Sequence, residues 1–190
     1  QVIEMDSHYY DTADATLGRL GCSLRLRHEN DSRIVTVKAG GPAGDGLHQR
    51  MEWSVLLDGN ETDWLDQLAS GLAVDWFMRH AESDGDPDDL LYGKLQLIVG
   101  QPLQEICRVT FNRLAYDIGY GGTLMELALD TGELLSAGRS EPVCEFELEL
   151  KEGDARDLME LGQELMERFG LVPDNLSKLA RCLALSGEGP

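Results

Sequence analysis

Alternation of apolar and polar positions with a period of two dominates this chain. Successive side chains of a strand point to opposite faces, so residues two apart share one. Between Ser23 and Ser54 three such runs follow one another, S-L-R-L-R, V-T-V-K-A-G and L-H-Q-R-M-E-W-S, with turn residues between them. Ser23, Arg25 and Arg27 fall on one face, as do Thr36 with Lys38, and Arg50 with Glu52 and Ser54. Leu24, Leu26, Val35, Val37, Met51, Trp53 and Val55 fall on the other. A face of spaced cations with one carboxylate either meets water or lines the inside of a barrel, and this stretch alone leaves both open.

The alternation recurs along the chain and favours the barrel. Strands are predicted over Val2–Tyr10, Glu105–Ile118 and Thr123–Asp130, with a short one at Leu134–Ala137 after a turn at Gly132. Arg113 shares a face with Phe111 and Ala115, and Glu126 with Ala128 and Asp130. The clearest period of two follows Pro142, in V-C-E-F-E-L-E-L-K: Glu145, Glu147, Glu149 and Lys151 on one side, Cys144, Phe146, Leu148 and Leu150 on the other. The glycine-rich stretch Gly40–Gly46 reads as a hairpin connection rather than a phosphate loop, because a strand and not a helix follows it.

Helical spacing is confined to a few segments. A single turn is expected before Gly18, and a helix within Asp58–Ala69, where Trp64, Leu65 and Leu68 recur. Val74–Met78 fits helix or strand. Ser83–Asp89 is an acidic loop, and its proline argues against a calcium loop. Pro87 suits the first turn of a helix running to about Val99. Asp154 suits an N-cap for a helix to Phe169 that ends at Gly170, with Leu158, Leu161, Leu165 and Phe169 on one stripe. L-S-K-L-A-R-C-L-A-L follows Asn175. The expected architecture is α+β: a wide antiparallel β-barrel with a polar lining and helices packed on its outside, one domain over residues 1–185 and a tail at 186–190.

Charge sharpens the picture. The chain has 190 residues, with 16 Lys and Arg against 35 Asp and Glu, a net charge of −19. That balance argues against a nucleic-acid partner held by phosphate neutralisation and makes the cations placed on strand faces informative. No apolar run is long enough for a membrane helix. The four cysteines, Cys22, Cys107, Cys144 and Cys182, are scattered without zinc-type spacing and read as reduced thiols of a cytoplasmic protein.

Collected on one lining, the polar faces supply Arg25, Arg27, Lys38, Arg50 and Arg113, joined by Lys178 and Arg181, against Glu52, Glu126, Asp130, Glu145, Glu147 and Glu149. Three neighbouring glutamates on one strand face repel unless cations or a divalent metal stand among them. Arginine forks match phosphate oxygens. The chemistry such a cavity supports is phosphoryl transfer to water, with Mg²⁺ or Mn²⁺ bridging phosphate oxygens.

The motifs Y-Y-D-T, S-L-R-L-R, T-V-K-A-G, L-H-Q-R-M-E-W, F-N-R-L-A-Y, M-E-L-A-L-D-T-G-E-L, E-P-V-C-E-F-E-L-E-L and L-S-K-L-A-R occur in that order. In this the chain resembles the CYTH family, the triphosphate tunnel metalloenzymes, most of all their bacterial inorganic triphosphatase branch, which is often fused to a CHAD domain. The resemblance spans about Ile3 to Leu185. It implies an eight-stranded antiparallel tunnel that binds triphosphate or polyphosphate and cleaves the terminal phosphoryl group with Mg²⁺ or Mn²⁺. It implies substrate contacts at Arg25, Arg27, Lys38, Arg50, Arg113, Lys178 and Arg181, with Arg27, Lys38 and Glu52 at the chemistry. Metal ligands are expected among Glu126, Asp130, Glu145, Glu147 and Glu149, foremost Glu145 and Glu147. Two departures stand out. The Glu-x-Glu-x-Lys first strand of the family is missing before Gln1; Glu147–Lys151 spells the same pattern but occupies the late glutamate strand. Cys182 stands where the branch often has glycine. The missing strand motivates an alternative, a module that binds polyphosphate or nucleotide without turnover. Thiamine triphosphatase or adenylate cyclase activity is a further alternative.

Overall fold

The computed structural model describes residues 2–40, 43–44, 47–48, 50–57, 71–83 and 89–187. The strands are β1 (Val2–Thr12), β2 (Cys22–Glu29), β3 (Ser32–Ala39), β4 (Ala43–Gly44), β5 (Leu47–His48), β6 (Met51–Leu57), β7 (Glu82–Ser83), β8 (Leu103–Tyr120), β9 (Thr123–Ser136) and β10 (Arg139–Glu152). The helices are α1 (Thr16–Arg19), α2 (Leu72–His80), α3 (Asp89–Gln96), α4 (Ala155–Phe169) and α5 (Lys178–Ser186). The class is α+β, as the alternation predicts.

One antiparallel sheet of eight strands runs in the order β10-β9-β8-β1-β2-β3-β6-β7, and β4 pairs separately with β5. Among the described residues the sheet curls like a tunnel without closing, with β10 and β7 as its edges. Register carries one face across the strands: Glu145 opposes Asp130, Asp130 opposes Arg113, and Arg113 opposes Ile3. Farther along the same face, Ser7 opposes Arg27, and Thr36 stands between Arg25 and Ser54. This face is concave.

The convex face carries the larger core. Leu24, Leu26, Val35, Val37, Trp53 and Val55 pack against Leu17, Val74, Phe77, Leu91 and Leu95 from α1, α2 and α3 and against Ile98 in the turn after α3. Val74–Met78, undecided by pattern, thus lies within a helix whose apolar side is buried here. Asp11 of the Y-Y-D-T motif is buried and anchors α1, its carboxylate accepting the N–H groups of Leu17 and Gly18, both at 2.9 Å. α4 is capped by Asp154 and closed by Gly170 at φ 66°, with Leu158, Leu161 and Leu165 of its apolar stripe half-buried and Phe169 exposed.

Four expectations need correction. Gly132 does not turn the chain: β9 runs straight through it to Ser136. A Cβ there would lie 2.0 Å from the Thr110 carbonyl oxygen and 2.5 Å from Phe111 Cα, so glycine permits a close strand approach. The turn comes at Ala137 and Gly138, with φ of 50° and 73°. Pro142 lies inside β10, tolerable because that strand is an edge. Nor are all helices outside. α5 sits on the concave face, where Cys182 joins Met5, Tyr9, Val109, Phe111, Leu134 and Val143 in a second core. That position brings Cys182 onto Cys107, 75 residues away, in a disulfide with Cα atoms 6.1 Å apart, so these are not two reduced thiols. Cys22 and Cys144 are free. The helix expected within Asp58–Ala69, most of the acidic loop at Ser83–Asp89 and Pro87 lie outside the described residues.

Candidate active site

One wall of the trough is cationic and comes from β1, β2, β3 and β6. Arg25 is buried; its Nη2 donates to Thr36 Oγ1 and Glu52 Oε1, each at 3.3 Å. Its buried Nε has no hydrogen-bond partner among the described residues. Arg27 donates through Nε to Ser7 Oγ at 3.3 Å and stands 3.9 Å from Glu29. Lys38 Nζ lies 2.6 Å from Glu52 Oε2. Three cations thus stand against Glu52 and the more distant Glu29. Burial and the neighbouring Arg25 push Arg27 down to about 10, still protonated near neutrality, and the same two causes lower Lys38. Burial pushes the Glu52 carboxyl up, but Lys38 and Arg25 outweigh it and hold it below the usual range.

The other wall, from β8, β9, β10 and α5, is an ion-pair lattice. Arg113 holds Asp130 with two parallel bonds of 2.8 and 2.7 Å and also contacts Glu147. Ser177 caps α5 by accepting the Ala180 N–H, which starts the helix with Lys178 aimed at the carboxylates. Lys178 Nζ lies 2.8 Å from both Asp130 and Glu147 and contacts Glu145. Arg181, one turn on, reaches Glu145 at 2.9 Å and Glu141 at 2.7 Å. Burial raises Glu147, yet Lys178 and Arg113 outweigh it and hold it at about 2. Glu145 is shifted up, because burial and Glu147 outweigh Lys178 and Arg181.

Ligand atoms of Asp130, Glu145 and Glu147 all lie within 4.8 Å of one another. Carboxylate oxygens are the donors a hard divalent ion takes, so these three fit such an ion. The orphaned Arg25 Nε, in a wall with surplus positive charge, fits an anion.

The predicted site residues gather unevenly. Arg25, Arg27, Lys38 and Glu52 form one wall; Arg113, Asp130, Glu145, Glu147, Lys178 and Arg181 form the other. Glu126 stands 3.7 Å from both Arg113 and Lys151, at the margin. Glu149 is 60% exposed at its side chain and pairs with Lys151. Arg50 is exposed just before β6. Pattern reading missed Tyr9, which is buried on the cationic wall opposite Arg25. Burial raises its phenol, but Arg25, Lys38 and Arg27 outweigh that and leave it below the usual tyrosine value. The signal was present: Ser7 and Tyr9 alternate with His8 and Tyr10.

A CYTH domain model matches residues 1–183. An inorganic triphosphatase of Haemophilus influenzae is 28% identical over 188 residues, which is 99% of this chain and 47% of that protein. The chain therefore spans about half the length of the curated relative it matches. Among solved structures, an adenylyl cyclase candidate from Hippeastrum with a dominant triphosphatase activity superposes with a TM-score of 0.63 at 15% identity, covering 99% of this chain and 84% of that one. An adenylate cyclase candidate from Bacillus halodurans gives a TM-score of 0.54 at 19% identity, covering 92% and 79%. At these identities the two structures speak for the fold alone.

Proposed function

This chain belongs to the CYTH family, and from that premise we propose that it hydrolyses inorganic triphosphate to pyrophosphate and phosphate in the concave trough. The observation that carries the reading is the pairing of walls. A surplus of positive charge at buried Arg25 and half-buried Arg27 and Lys38, including a guanidinium N–H with no partner among the described residues, shares one concave face with the carboxylates Asp130, Glu145 and Glu147.

Each wall has a task. Arg25, Arg27 and Lys38 take phosphate oxygens, and Glu52 holds Lys38 and Arg25 in position. Arg113, Lys178 and Arg181 offer further donors from the opposite wall, and Arg50 offers one at the rim. Asp130, Glu145 and Glu147 would hold Mg²⁺ or Mn²⁺, with Glu126 and Glu149 farther out. Such an ion would supply charge neutralisation on the phosphates and lower the pKa of a bound water. The reaction breaks the terminal bridging P–O bond and adds the oxygen of water to the released phosphate. Guanidinium and ammonium groups spread the charge that gathers on the transferred group and on the departing pyrophosphate.

The relative's greater length suits a second domain in the complete protein, and a CHAD domain is our expectation for it. The test is phosphate release from tripolyphosphate by the full-length protein with Mg²⁺ or Mn²⁺, beside ATP and thiamine triphosphate. Preferential release from tripolyphosphate is expected. Tight binding of tripolyphosphate by folded protein, without release under either metal, would make this a binding module instead.

A further inference from the structure

Lys178 occupies the middle of the carboxylate cluster. Its ammonium carries three N–H donors, and it contacts Asp130 at 2.8 Å, Glu147 at 2.8 Å and Glu145. These are the same three side chains whose oxygens converge within 4.8 Å. The ammonium has little else to turn to: its side chain is 11% exposed, and the Phe111 ring lies 5.0 Å away. Arg113 grips Asp130 and Glu147 from one flank, and Arg181 grips Glu145 from the other. Both arginines also have outer partners, Glu126 for Arg113, and Glu141 and Asp174 for Arg181.

Three carboxylates therefore face three cations, but both arginines are shared with outer carboxylates, whereas the ion pairs of Lys178 are with the three cluster carboxylates. A divalent ion and the ammonium need the same oxygens, and they repel each other at the distances those oxygens impose. A polyphosphate changes the balance, because its oxygens give the Lys178 ammonium an alternative partner. We propose that Lys178 is an internal counter-ion that couples the two ligands: it holds the carboxylates against a divalent ion until a polyphosphate draws it away. The substrate half of this coupling rests on the triphosphatase reading; the exclusion of metal by the ammonium does not. By linkage, metal and polyphosphate then raise each other's affinity by the same factor.

The experiment is a Mn²⁺ titration of the full-length protein with no phosphate compound present, following the electron paramagnetic resonance signal of the free aqua ion. Lys178→Met, which keeps the bulk and removes the charge, should bind Mn²⁺ at least about fivefold tighter than wild type. Lys178→Arg, which keeps the charge, should stay close to wild type. Lys178→Gln provides the same readout should the methionine variant not fold, as judged by its melting curve. Equal or weaker Mn²⁺ binding in both neutral variants overturns the proposal, and so does the absence of Mn²⁺ uptake by every protein. Phosphate release from tripolyphosphate, measured on the same wild-type preparation, reports on the reaction separately. Release without tightening in the neutral variants removes the counter-ion alone; tightening without release removes the hydrolytic reading and leaves metal exclusion standing.

Discussion

Arg113 and Asp130 face each other across β8 and β9, joined by two parallel hydrogen bonds of 2.8 and 2.7 Å. Asp130 has no exposed side-chain surface and Arg113 has 11%. A pair of this kind is costly to break from one side, because the remaining charge stays buried without its partner. Asp130→Ala is expected to lower unfolding free energy by roughly 3 kcal/mol, read as a lower urea midpoint at unchanged m-value. Arg113→Met with Asp130→Leu, which removes both charges, should recover part of that loss. A single variant as stable as wild type would show that Glu147 and Glu126 hold Arg113 sufficiently on their own.

Two further substitutions separate chemistry from folding. Arg27 lies on the cationic wall beside Ser7, and Glu147 belongs to the carboxylate cluster. Each carries a charge aimed at the phosphates or at the ion that accompanies them. Arg27→Ala and Glu147→Ala are expected to lower phosphate release from tripolyphosphate by well over about tenfold, with melting temperatures far less affected than in Asp130→Ala. Near-wild-type rates for both would take these residues out of the site.

What the sequence shows of this site follows from the strength of its alternation. Period alone puts Arg25 with Arg27 and Glu145 with Glu147, while the register between strands adds Lys38 and Glu52 to the face of Arg25. Period says which residues share a face, however, and not which face is concave. It also carries no information on where a short helix packs. Lys178 and Arg181 are visible as the cations of the closing segment, but only the docking of α5 on the inner face brings them to the glutamates and Cys182 to Cys107. Gly132 misleads for a related reason. Glycine marks a turn and a close backbone approach equally well, and the contact with Thr110 and Phe111 that decides between them is about twenty residues away in the chain.

On the convex face, Asp6 receives two hydrogen bonds from Arg108, of 2.9 and 2.7 Å, and His8 stands between Asp6 and Glu105. The bonds from Arg108 outweigh partial burial and hold the Asp6 carboxyl below its ordinary 3.8. A depressed carboxyl contributes stability that is fully present above its unfolded pKa and is lost as pH falls through the folded one. The window is therefore below pH 3.8. Asp6→Asn should lower the melting temperature at neutral pH and flatten its fall below that value. An acid limb as steep as in wild type would place the relevant proton on another carboxylate.

The disulfide offers the last prediction. Cys107 and Cys182 are 75 residues apart, and both are buried where α5 meets β8. In the chain-entropy account a cross-link closing a loop of that length stabilises by about 4 kcal/mol, through the freedom it removes from the unfolded chain. It also fastens the helix that carries Lys178 and Arg181. Dithiothreitol should therefore lower the melting temperature of the wild-type protein and leave a Cys107→Ala, Cys182→Ala double variant unmoved. Alkylation of the unreduced, denatured protein should label only Cys22 and Cys144. Labelling of all four cysteines would remove the cross-link, and the packing of α5 would then rest on Leu179, Leu185 and the ion pairs of Lys178 and Arg181.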